Sequence, residues 1–137
     1  MTDIIDILDD ERAVPLLAEL RTKLDASVLR ARLDAARLGG YRLLGLEQDG
    51  ALVGVLGYRV VQDICWGKTL YIDDLNISAD VRGNGYGGQL LEAAKHRARD
   101  AGCDHIRLCS GLTRADAHRF YEAHGLKGFS KQFVTDL

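Results

Sequence analysis

Two adjacent carboxylates, Asp73 and Asp74, interrupt the run LYIDDLNI from Leu70 to Ile77. Beyond a short loop come Arg82 and four glycines within six residues, Gly83, Gly85, Gly87 and Gly88. A carboxylate can take a proton from an amine, directly or through water, and so prepare a nucleophile. Glycines let the backbone approach a ligand closely, and the first N–H groups of a helix have no partners within it. With the helix dipole, those amides form an anion cradle, most often for phosphate. Arg82 adds a charge that can fork onto phosphate oxygens. Farther on, Arg114, His118 and Tyr121 recur at i, i+4 and i+7, which is one stripe of a helix. A tyrosine of pKa ~10 can protonate a thiolate of similar basicity. His118, with an unperturbed pKa of ~6.5, is an alternative acid or relay, although a solvated helix face accounts for it more simply.

These groups need a frame. If Leu70–Ile77 is a strand, Leu70, Ile72, Asp74 and Asn76 are expected on one side and Tyr71, Asp73, Leu75 and Ile77 on the other. Gln89–Gly102 has helical periodicity, with Leu90, Leu91, Ala94 and Ala98 as its apolar stripe and Gly102 as its stop. The local order is therefore strand, glycine turn, helix. Upstream, Asp3–Leu8 reads as a short strand. A helix from about Asp9 follows, with Pro15 in an early turn, and then a second helix after Asp25-Ala26-Ser27, closed by Gly39-Gly40. Tyr41–Glu47 and Ala51–Val61 read as strands around Asp49-Gly50, a strong hairpin signal, and Gly54 and Gly57 suggest a bulge or close packing. Downstream, Cys103–Cys109 reads as a strand and Thr113 as the cap of a helix ending at Gly125. Gly128–Val134 reads as a last strand. The order β-α-α-β-β-β-α-β-α-β predicts one α+β domain over residues 1–137, with a mixed central sheet and helices on both faces.

Composition narrows the classes. A chain of 137 residues fits one domain with a real core. The net charge of −2, without a basic stretch, gives nucleic-acid binding no electrostatic support. Cys65, Cys103 and Cys109 show no CxxC spacing, so neither zinc nor a disulfide framework is expected, and they read as small buried hydrophobes. The start, MTDIIDILDDE, is acidic where a signal peptide is basic, and no apolar run reaches membrane-spanning length. Together these predict a cytoplasmic protein with no membrane partner.

Three phosphate-binding patterns compete for the glycine run. The P-loop fails because Gln89, not Lys, follows Gly88. The dinucleotide fingerprint matches in letters, as Gly83-x-Gly85-x-x-Gly88, but too little chain remains for a second mononucleotide half. The third is Arg82-x-x-Gly85-x-Gly87 after an acidic strand, which resembles the acetyl-CoA signature of the GNAT family of N-acetyltransferases. A second stretch, RADAHRFYEAHGLKGF, is similar to that family's Asn-x-x-Ala-x-x-Phe-Tyr run with Gly-Phe after it, through Ala117, Phe120, Tyr121 and Gly125-Leu126. Arg114 stands in place of the usual Asn, Leu126 in place of Phe, and Asn76 where an aromatic is common.

The resemblance implies a mostly antiparallel sheet and acetyl-CoA as co-substrate, without a metal. It implies a pantetheine arm bonded by backbone groups near Leu75, Asn76 and Ile77. Gly83, Asn84, Gly85, Tyr86, Gly87 and Gly88 would bind the diphosphate with Arg82, and Arg114 would touch the cofactor. A homodimer through C-terminal strands is a further expectation. The inferred reaction is direct attack of a primary amine, on a small molecule or a peptide, on the thioester. Asp73 is the first candidate base, with Asp74 and a water chain as alternatives. The Ile77 N–H is the candidate oxyanion donor and Tyr121 the candidate acid. An acyl-CoA sensor with the cradle kept and the chemistry lost, or a dinucleotide enzyme, are the competing functions. Trp66, Tyr71 and Tyr41 either fill the core or line the acceptor pocket.

Overall fold

Strand β1 (Thr2–Asp6) runs antiparallel to β2 (Arg42–Gln48), which pairs with β3 (Ala51–Asp63), which pairs with β4 (Gly67–Ile77). Strand β5 (His105–Leu108) completes the five-stranded order β1-β2-β3-β4-β5. The structure, a computed structural model, describes residues 1–137. It divides into two units, Met1–Arg107 and Leu108–Leu137. The β2–β3 hairpin turns on Asp49 and Gly50 at φ 50° and 86°, the left-handed pair that a two-residue turn requires.

The helices follow their sequence signals. A 3-10 turn at Asp10–Arg12 precedes α1 (Val14–Leu20), whose Pro15 sits in the first turn, where its missing N–H costs nothing. Asp25 caps α2 (Ala26–Leu38) by accepting from the Val28 N–H at 2.9 Å. The helix α3 (Tyr86–Asp100) closes at Gly102 (φ 74°), with the Cys103 N–H reaching back to Ala98 O. On one face of the sheet, Leu17, Leu29 and Leu33 pack with Tyr41, Leu43 and Val55. On the other, α3 lies over β2, β3 and β4 and buries Leu90, Leu91, Ala94 and Ala98. Each fully buried leucine contributes about 1.5–3 kcal/mol relative to exposure.

The β4 alternation read from sequence does not survive intact. Tyr58 pairs with Ile72 and Gly57 with Asp74, so Asp73 is the extra residue of a bulge. Past it the phase inverts. Leu75 and Ile77, opposite Leu56 and Gly54, join the side of Leu70 and Ile72, while Asp74 and Asn76 join that of Tyr71. Gly57 answers the other expectation, since it gives close packing: a Cβ there would lie 1.8 Å from the Tyr41 hydroxyl.

In the second unit, α4 (Ala115–Ala123) ends at Gly125 (φ 88°), with the Leu126 N–H bonded to Tyr121 O. Its N-cap is Arg114, with no side-chain cap bond, rather than the expected Thr113. The strand expected over Gly128–Val134 does not form, and the chain ends on α4 as its last regular element. Apolar spacing supplies a preference for extended backbone, but the hydrogen-bond ladder has to come from another segment. Cys65 and Cys109 are exposed rather than buried. No helix is long and apolar enough to cross a membrane.

Candidate active site

Because of the bulge, Asp73 and Asp74 line one pocket, of about 640 Å³, between β4 and helices α1 and α2. The Asp73 carboxylate is bidentate to Arg59, with Nε and Nη2 each at 2.8 Å. Asp74 Oδ1 accepts from Arg21 Nε at 3.0 Å and Nη2 at 2.8 Å, and its Oδ2 accepts from the Tyr41 hydroxyl at 2.6 Å. The Arg21 Nη2 also donates to Asp73 O at 2.8 Å, which ties the end of α1 to the bulge. Burial first, then the charge of Asp74, pushes the Tyr41 hydroxyl far above the ordinary tyrosine range, so it stays a donor. Tyr41 is thus a core residue that also walls the pocket. Trp66 and Tyr71 lie elsewhere: Arg107 stands 5.5 Å and 5.4 Å over their rings, and Arg59 stands 5.3 Å over Tyr71.

The sequence reading missed Arg21, Arg59, Lys23 and Arg32. A signal existed for Arg59, a lone charge within the apolar run Ala51–Val61. Arg21 is one of many exposed arginines and carried no such mark.

The glycine turn leads off the far end of β4. Gly83 and Gly85 take φ of 86° and 77°, where a side chain is strained, and Gly85 is the N-cap of α3 without a side-chain cap bond. A Cβ at either position would meet nothing within 4 Å, so the space above the turn is open to a ligand. Arg82 is exposed yet bonded back to the fold: its Nε donates to Ile77 O at 3.0 Å, and its Nη2 to Glu19 at 2.9 Å and to Asn76 Oδ1 at 3.2 Å. Glu19 also accepts from the Ala79 N–H at 2.9 Å. Asn76 is buried and donates to Leu16 O at 2.9 Å. Arg82 and Asn76 therefore brace the turn against α1. With four residues, β5 cannot cover the eleven of β4, and its start lies by Lys68, where the Asp104 N–H donates to Lys68 O at 2.7 Å. Asn84 Nδ2 closes the turn on Val81 O at 2.8 Å.

In the second unit, Tyr121 is half-buried and stacks edge-on against Phe120, centroids 5.3 Å apart. Burial raises its hydroxyl above the usual value, with the Arg114 charge opposing in part. The His118 Nε2 lies 2.8 Å from Gly111 O, so that nitrogen is engaged by the backbone.

The sequence model of the Acetyltransferase (GNAT) family matches residues 2–126. The chain belongs to this family. It is 41% identical over 108 residues to an uncharacterized N-acetyltransferase, YhdJ, of Bacillus subtilis, covering 78% of this chain and 76% of that protein. It is 31% identical over 134 residues to the aminoalkylphosphonate N-acetyltransferase of Salmonella typhimurium, covering 94% of this chain and 86% of the relative. An aminoglycoside N-acetyltransferase solved in complex with CoA shares the fold, with a TM-score of 0.86 over 100% of this chain and 95% of that one, at 13% identity. This GNAT protein is thus an N-acetyltransferase, and acetyl-CoA is the family's donor. Its own residues fit such a donor. The amides opening α3 have no side-chain cap, the space over Gly83 and Gly85 is free, and β4 outruns β5.

Proposed function

We propose that this GNAT protein transfers the acetyl group of acetyl-CoA to a primary amine of a small molecule, in the cytoplasm, by direct attack on the thioester. The observation that carries this reading is the bulge at Asp73, which turns two carboxylates into one pocket on the strand that leads to the glycine turn. A pocket of about 640 Å³ suits a small ligand. The relative named for aminoalkylphosphonates supports an amine on a small molecule.

Asp73 is the proposed base. A carboxylate offers about four lone-pair sites, and Arg59 uses two of them, whereas Asp74 already accepts three bonds. A Lys-type amine of pKa ~10.4 is almost wholly protonated at neutral pH, so a base is needed. The amine nitrogen bonds to the acetyl carbon, its proton passes to Asp73 directly or through water, and the Ile77 N–H steadies the oxyanion. The C–S bond then breaks, and the thiolate takes a proton from Tyr121, the residue matched by the second motif. The N–H groups from Gly83 to Gly88 hold the diphosphate when CoA is bound, with Arg82 bracing the turn and Arg114 near the cofactor. We take residues 1–137 as one acetyltransferase domain, supported by a family match that runs through both units. Exposed Phe133 and Val134 support a homodimer through the C-terminal segment.

Thiol release from acetyl-CoA over a panel of amines tests the reading. Release with at least one primary amine is expected. Tight CoA binding without release on any acceptor overturns it in favour of an acyl-CoA-binding module.

A further inference from the structure

The pocket beside β4 carries more positive than negative charge. Arg59 answers Asp73 and Arg21 answers Asp74, one cation to each carboxylate. Lys23, in the turn after α1, and Arg32, on α2, line the same pocket, and neither forms an ion pair or a side-chain hydrogen bond. Much of the remaining wall is apolar, including Leu20, Leu24, Leu29 and Ala36, and supplies no anion to them. The pocket therefore has two poles: a carboxylate pair, each member charge-balanced by its own arginine, and two cations left over.

That balance discriminates among amines. A diamine or other polycation would bring its second charge toward unpaired cations, at a cost in affinity. A neutral alkylamine would leave Lys23 and Arg32 unused. An amine joined by a short alkyl chain to an oxyanion matches both poles. Its nitrogen faces Asp73, its methylenes cross the leucine wall, and its oxyanion takes charge-assisted hydrogen bonds from Lys23 and Arg32. We propose that the acceptor is a small amine bearing a phosphonate, phosphate or carboxylate group, with Lys23 and Arg32 as the residues that determine this specificity. The inference rests on the acetyltransferase reading above and narrows its substrate class.

The test is thiol release from acetyl-CoA with 2-aminoethylphosphonate, 3-aminopropanoate, propylamine and 1,3-diaminopropane at constant ionic strength. We expect kcat/KM for at least one of the two anionic amines to exceed that for propylamine by about tenfold or more, the range of a charged hydrogen bond. The diamine should be the poorest. The phosphonate and carboxylate arms identify which oxyanion the two cations take. In the Lys23→Ala/Arg32→Ala double variant, the ratio of anionic to neutral amine should fall toward one while the melting temperature stays that of the parent. Equal kcat/KM for anionic and neutral amines overturns the inference alone, as does a ratio untouched by the double substitution. No release from any amine overturns the transferase reading, and the inference with it.

Discussion

Asp73 and Asp74 differ in what they can still accept. Each carboxylate is held by an arginine, but only Asp74 also carries a tyrosine hydroxyl. If Asp73 receives the amine proton, Asp73→Asn should lower kcat/KM by about a hundredfold or more. An unchanged kcat/KM would reject the role. Tyr121 makes a second prediction with a definite sign. A proton donor must be protonated to act, and burial raises this hydroxyl above its ordinary pKa of 10.0. The acid form is therefore kept across the neutral and mildly alkaline range, and kcat should fall only above about pH 10. Tyr121→Phe should cut turnover and leave CoA affinity, read by calorimetry, near the parent value. An alkaline limb centred below pH 9, or equal turnover in the variant, would take Tyr121 out of the reaction.

At the level of elements, the pocket depends on a glycine in the neighbouring strand. The Tyr41 ring lies over Gly57, where a Cβ would come within 2.3 Å of Cζ as well as 1.8 Å of the hydroxyl. Gly57→Ala should cost about 1–3 kcal/mol in chemical denaturation through overpacking. It should also raise the amine KM more than the acetyl-CoA KM, because displacing Tyr41 frees Asp74. Equal effects on both substrates would argue that the ring has no bearing on the pocket. Much of this layer could be read from the chain. Asp49-Gly50 specified the hairpin, Asp25 the cap of α2, Gly102 and Gly125 the helix ends, and Arg82 with its glycines the turn before α3. The shared facing of Asp73 and Asp74 could not. A bulge is a count of two residues against one, and the one belongs to β3, so period-two alternation within β4 alone assigns the acids to opposite sides. The partners of Arg21 and Arg59 escaped as well: Arg21 meets Asp74 from the end of α1, 53 residues away, and Arg59 meets Asp73 across the β3–β4 ladder whose register the bulge shifts.

At the scale of the whole molecule, the missing last strand bears on assembly. Gly128–Val134 keeps the composition of a strand, yet no ladder reaches it, and Phe133 and Val134 are 91% and 78% exposed. A segment with exposed apolar side chains that lies outside any ladder can pair with another chain. A second copy of the same chain supplies a matching segment by symmetry. Light scattering should therefore give the mass of two chains at micromolar concentration, and the melting temperature should rise with protein concentration, as dimer linkage requires. A chain stopped after Leu126 keeps the Leu126–Tyr121 bond that closes α4, so it should still fold. It should be monomeric, with a melting temperature that no longer depends on concentration. A chain of residues 1–137 that stays monomeric, or a shortened chain that still pairs, would show that these side chains are exposed for some reason other than a partner copy.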